Sequence, residues 1–141
     1  MWYDALVLTN QHKHMKDILI PSNNVIKTPL VDFKTTGQLR IEGSSFSENP
    51  LEFYEPLVQW INDLKKDPPK TITMTVKLEY FNTSSSKLIL YMFKSLESMQ
   101  VGKLSEVTIV WKYNKIDQDM LESGKDYQSI INIPFVMEEY S

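Results

Sequence analysis

Apolar and polar residues alternate strictly along "TITMTVKLEYF" (71–81), with Ile72, Met74, Val76, Leu78 and Tyr80 on one side. Thr73, Thr75, Lys77 and Glu79 take the other, which is the period of a strand with one buried face. "VTIVWKY" (107–113) repeats the pattern: Val107, Ile109, Trp111 and Tyr113 oppose Thr108, Val110 and Lys112. Strands covered on both faces read as unbroken apolar runs, so these two predict a sheet with helices on one face only. Upstream, "VIKTPLVDF" (25–33) and "QLRIEG" (38–43) are extended stretches joined near Gly37, a predicted hairpin.

Helical spacing fills the gaps. Phe53, Leu57, Ile61 and Leu64 recur three or four residues apart, widened by Tyr54 and Val58. Asn49 suits the N-cap, Pro50 the first helical position and Glu52 the acid of a capping box. Pro56, near the helix start, predicts a mild kink, and "DPP" (67–69) ends the element. A second helix, 84–102, carries Leu88, Met92, Leu96 and Met99 and closes at Gly102. A weaker acidic helix spans 117–131 with an interruption at Gly124, and "IPFVMEEY" (133–140) completes the sheet. The expectation is an α/β fold of order ββαβαβαβ, a mixed sheet with helices on one face.

With 141 residues the chain fits one domain, placed at 15–141. Residues 1–14 match nothing that follows and read as an N-terminal extension or a misplaced start, with Met15 a second candidate start. Charged residues make up 23% and the net charge is −3, a globular rather than disordered balance. Basic runs stop at Lys65–Lys66, which disfavours a nucleic-acid backbone as ligand. The absence of cysteine removes disulfides, thiolate metal sites and a cysteine nucleophile, and suits a reducing cytoplasm. No apolar run approaches the roughly 18 residues of a spanning helix. The N-terminus also makes a poor signal peptide, so the chain reads as soluble and intracellular.

Few residues offer chemistry. His12 and His14 are spaced like a chelating pair, but no further ligand accompanies them, and solvated leader residues explain them better. Glycines at 37, 43, 102 and 124 form no phosphate loop. No cofactor is expected. Asn82-Thr83-Ser84 formally matches a glycosylation acceptor, irrelevant without secretion.

What remains is "EYFNTSSSK" (79–87), where a strand gives way to a helix. One reading is capping alone: Asn82 or Thr83 accepts from free amides while Ser84, Ser85 and Ser86 fill a tolerant first turn. The other is a phosphoacceptor. A phosphate on Thr83 would place negative charge where helix amides and dipole favour it, while expelling a partner docked on Tyr80, Phe81 or the hydroxyls. A hydrolase built on a Thr or Ser nucleophile would need a base, and only Lys87 or Glu79 stands close in sequence. An unmodified scaffold is a further alternative.

"LEYFNTSSSK" resembles the signature segment of the SiaC-type regulatory phosphoproteins, which are STAS-like in fold and logic. The resemblance extends over about Pro21 to Tyr140 through "GQLRIEGSSFSENPLEFYEPLVQWI", "VTIVWKY" and "DQDMLESGKDY". The chain departs from the pattern at Ser47, where proline is expected, and in its leader. The resemblance implies that Thr83 is phosphorylated by a dedicated protein kinase and dephosphorylated by a PP2C-type phosphatase. It implies that the unphosphorylated form binds and activates a diguanylate cyclase in the branch tied to biofilm. Asn82 would then orient the loop, Ser84 and Ser85 would surround the phosphate, and Lys87 would lie near it. The motif and partner surface is expected to comprise Tyr80, Phe81, Asn82, Ser84, Ser85, Ser86 and Lys87. An anti-sigma factor antagonist is the same-fold alternative.

Overall fold

The computed structural model describes residues 15–141. The expectations for residues 1–14, His12 and His14 among them, lie outside the described residues. Strands β1 (Ile18–Ile20), β2 (Leu30–Phe33), β3 (Gln38–Ser45), β4 (Thr71–Phe81), β5 (Glu106–Asn114) and β6 (Phe135–Tyr140) form one sheet in sequence order. Helices α1 (Pro50–Leu64), α2 (Thr83–Val101) and α3 (Gln118–Ile130) connect the last four strands. Pairing is antiparallel from β1 to β3 and parallel from β3 to β6.

The mixed sheet with helices on one face is therefore as expected, with β1 added at its edge. That strand was missed because three residues are too short for a period to register. It is held from outside itself: the Thr35 amide donates to Asp17 Oδ1 (2.8 Å) and the Trp60 indole donates to the Lys16 carbonyl (2.8 Å). The stretch at 25–33 also differs from expectation. Asn23 and Thr28 bridge across a turn in which Asn23 Oδ1 accepts from the Val25 and Ile26 amides, so β2 begins only at Leu30.

Alternation does what the pattern dictates. Ile72, Met74, Val76 and Leu78 of β4, with Val107, Ile109 and Trp111 of β5, are buried beneath the helices. The opposite face carries Asp32, Arg40, Glu42, Lys77, Lys112 and Glu138 in a ladder of ion pairs.

Two helix expectations change. Asn49 does precede α1, but its side chain accepts no capping hydrogen bond; its Nδ2 donates to Glu52 Oε2 instead (3.0 Å). Gly124 does not interrupt α3, which runs unbroken past it. A side chain there would place its Cβ 2.5 Å from Trp111 Cδ1, so the glycine lets helix and sheet approach closely.

Candidate functional site

Parallel strands β3 to β6 all end at one rim, and the hydroxyl motif stands there. It is aimed by an irregularity in β4. Gly43 pairs with Leu78 but Ser44 with Tyr80, so Glu79 is the extra residue of a β-bulge. Gly43 supplies a φ of +117° beside it. The bulge reverses the phase of the strand end. Tyr80, expected on the buried side, turns outward at 54% exposure and meets Phe46 edge-on, the ring centroids 5.6 Å apart. Phe81 turns inward against Trp111 and Tyr127. A bulge has no signature in a period-two pattern, which is why the alternation misassigned Tyr80 and why Phe81, expected on the partner surface, faces inward.

Helix α2 starts immediately after. Asn82 is its N-cap, extended at φ −85° and ψ 171°, with Oδ1 accepting from the Ser85 amide (2.8 Å). Its Nδ2 donates to the Ser47 carbonyl (3.3 Å) and its amide to the Ser45 carbonyl (3.0 Å), fixing the cap to the chain leaving β3.

The hydroxyls then divide. Thr83 and Ser84 are exposed, and among the described residues their amides and hydroxyls have no hydrogen-bond partner. Ser86 is half-buried and its hydroxyl turns back onto the Thr83 carbonyl (2.6 Å). Ser85 is fully buried, which removes it from the accessible surface to which the sequence reading assigned it. Its Oγ accepts from Ser45 Oγ (3.0 Å), and Ser45 in turn meets the Tyr54 hydroxyl (2.7 Å). Burial pushes the Tyr54 phenol up to about 12. Tyr127 approaches from α3: its hydroxyl donates to the Ser86 carbonyl (2.8 Å), and burial raises its pKa also.

Between α2 and α3 runs a groove of about 340 Å³. Thr83, Lys87, Leu90, Asp126 and Ile130 are among its lining residues, so Lys87 shares a depression with the candidate acceptor. Sequence reasoning missed Ser45, Tyr54 and Tyr127. Ser45 left a trace as a polar residue continuing the inward series Leu39, Ile41, Gly43, and Tyr54 as a member of the apolar stripe of α1, but nothing in the sequence joined the two.

Chemically, the arrangement presents the Thr83 hydroxyl to solvent at a helix start whose first two amides have no partner among the described residues, three residues after an outward tyrosine. Comparison with known proteins gives this geometry a context. A curated but uncharacterised protein of Pseudomonas aeruginosa strain UCBPP-PA14 is 25% identical over 128 residues, 89% of this chain and 98% of its own length. The crystal structure of apo-SiaC from Pseudomonas aeruginosa superposes with a TM-score of 0.77 at 25% identity, covering 87% of this chain and 98% of that one. SiaC crystallised with diguanylate cyclase SiaD, as its activator, superposes at 0.78 with 24% identity over 88% of this chain and all of that one. Residues 20–140 match the model of the family described as SiaC family regulatory phosphoprotein. The chain is a member of the SiaC family.

Proposed function

We propose that this protein is a non-catalytic cytoplasmic switch whose unmodified form binds and regulates an effector of the diguanylate cyclase class, and that phosphorylation of Thr83 releases it. A protein kinase adds the phosphate and a PP2C-type phosphatase removes it. The observation that carries the reading is Thr83 itself. Its hydroxyl is solvent-exposed at the first position of α2, with the Thr83 and Ser84 amides unpartnered among the described residues and the turn already capped by Asn82.

A phosphate there brings about −1.5 to −2 charges, which the amide dipoles and Lys87 accommodate without disturbing the fold. For a partner packed on Tyr80 and the neighbouring hydroxyls, the same group is a hydrated dianion inside a contact. The asymmetry between a tolerant fold and an intolerant interface makes a switch. Regulation of a cyclase is the property of SiaC in its complex with SiaD and is carried over here by family membership. No carboxylate or lysine is hydrogen-bonded to the Thr83 hydroxyl among the described residues, which favours an acceptor over a nucleophile.

The test is a cyclase assay. Unmodified protein and protein carrying phosphothreonine at position 83 by semisynthesis are each added to the diguanylate cyclase of the same organism. Cyclic di-GMP production should rise with the first and stay basal with the second. Equal activity with both preparations would refute the switch.

A further inference from the structure

The motif contains four consecutive hydroxyl residues, 83 to 86, yet the turn presents them differently. Helical geometry rotates successive side chains by about 100°, so Ser85 and Thr83 lie about 160° apart around the axis. Whatever holds Ser85 inward therefore holds Thr83 outward. Ser85 is held by a buried chain of hydroxyls. Ser45 has one proton and gives it to Ser85 Oγ, so the Tyr54 phenol is the donor to Ser45. The chain runs from α1 through the end of β3 to the third residue of α2, and Tyr54, Ser45 and Ser85 are all essentially inaccessible to solvent.

We propose that Tyr54, Ser45 and Ser85 form a positioning relay that fixes the rotational phase of the first turn of α2, and so turns the Thr83 hydroxyl outward as the acceptor while withholding Ser85 from the surface. The presentation of Thr83 as an acceptor rests on the functional reading above; the fixing of the turn does not. An apolar residue at 85 could also face the core, but it would tolerate slippage toward a neighbouring phase. A hydroxyl bonded to a donor of fixed direction does not, because any rotation strands buried polar groups. Asn82 holds the start of the turn from outside, and the relay holds its inner side.

Amide hydrogen exchange resolved by residue tests the relay, comparing wild type with Ser45→Ala and with Ile109→Val. The last is a core truncation in β5, remote from the motif, that lowers global stability without touching the turn. In Ser45→Ala the Ser85 and Ser86 amides should exchange about tenfold faster relative to those of Met92 and Phe93. In Ile109→Val the ratio should stay at the wild-type value. If Ser45→Ala slows or quickens all four amides in the same proportion, Ser45 is merely a stability residue and the relay is refuted.

Phosphosite mapping on protein recovered from its own cells then tests presentation. Wild type should carry phosphate on Thr83 and none on Ser85, and Ser45→Ala should let phosphate reach Ser85. Phosphate on Thr83 and absent from Ser85 in both would refute the selection role. Wild type lacking phosphate at Thr83 altogether would refute the functional reading and the selection built on it. The exchange ratio would still decide whether the relay holds the turn.

Discussion

Thr83 and Asn82 are adjacent and polar, yet they carry opposite kinds of importance. Asn82 satisfies a first-turn amide and ties the cap to Ser47, so Asn82→Ala should cost about 1 to 2 kcal/mol in urea denaturation. Thr83 bonds through neither amide nor hydroxyl among the described residues, so Thr83→Ala should unfold within about 0.5 kcal/mol of wild type while abolishing the proposed phosphorylation. A midpoint shift as large as that of Asn82→Ala would mean that the threonine is structural. The relay tyrosine predicts a pH dependence. Folded protein keeps the Tyr54 proton up to about pH 12, whereas an unfolded chain releases it near 10.0. Between those values the unfolded state binds fewer protons, so stability is complete below about pH 10 and falls as pH rises through the window. Tyr54→Phe should flatten melting temperature against pH there, and an unchanged slope would place the effect on other tyrosines. From the sequence, Thr83 and Asn82 were legible because caps and exposed hydroxyls follow local rules. Ser45 and Tyr54 were not, since their meeting depends on β3 and α1 packing across nine residues of separation.

At the scale of elements, the sequence located five of the six strands, and only β1, three residues long, escaped. β4 and β5 declared both their existence and their buried faces, because each residue's neighbours two apart confirm the same assignment. The bulge at Glu79 escaped because one added residue changes no composition, only phase. It nevertheless decides the character of the rim, exchanging Tyr80 for Phe81 on the buried side. Gly124 misled in the opposite direction. Glycine lowers helix propensity by about 1 kcal/mol relative to alanine, and by that measure Gly124→Ala should stabilise α3. The position instead lies against the Trp111 ring and Met137 Cε, with an added Cβ 2.5 to 2.6 Å from their atoms. Neither ring nor strand can retreat from a closely packed core without further loss. Gly124→Ala should therefore destabilise by about 1 to 3 kcal/mol in denaturant titrations despite its better propensity. A net gain would show that α3 can lift from the sheet at little cost.

Considered whole, the molecule has two exposed polar regions of different origin. The open sheet face follows directly from strand alternation, and its charges neutralise one another in pairs such as Lys77–Glu42 and Lys112–Glu138. Exposed pairs of this kind contribute about 0 to 1 kcal/mol each and already satisfy the charges they join. The rim is different. Strand order follows chain order without reversal, so no switch-point crevice opens there for a nucleotide. What the rim presents is the Tyr80–Phe46 pair, with Lys27 seated over the Phe46 ring (5.2 Å), Tyr80 being close in sequence to the proposed acceptor Thr83. An exposed aromatic pair fits the composition of binding hot spots, whereas a neutralised charge ladder does not. Tyr80→Ala should thus weaken effector binding by about tenfold or more in titration calorimetry while leaving the unfolding midpoint nearly unchanged. Lys112→Ala, on the open face, should alter neither by a measurable amount. If the two variants reversed these effects, the effector would sit on the sheet, and a phosphate on Thr83 would have to act on it from a distance rather than by occupying the contact.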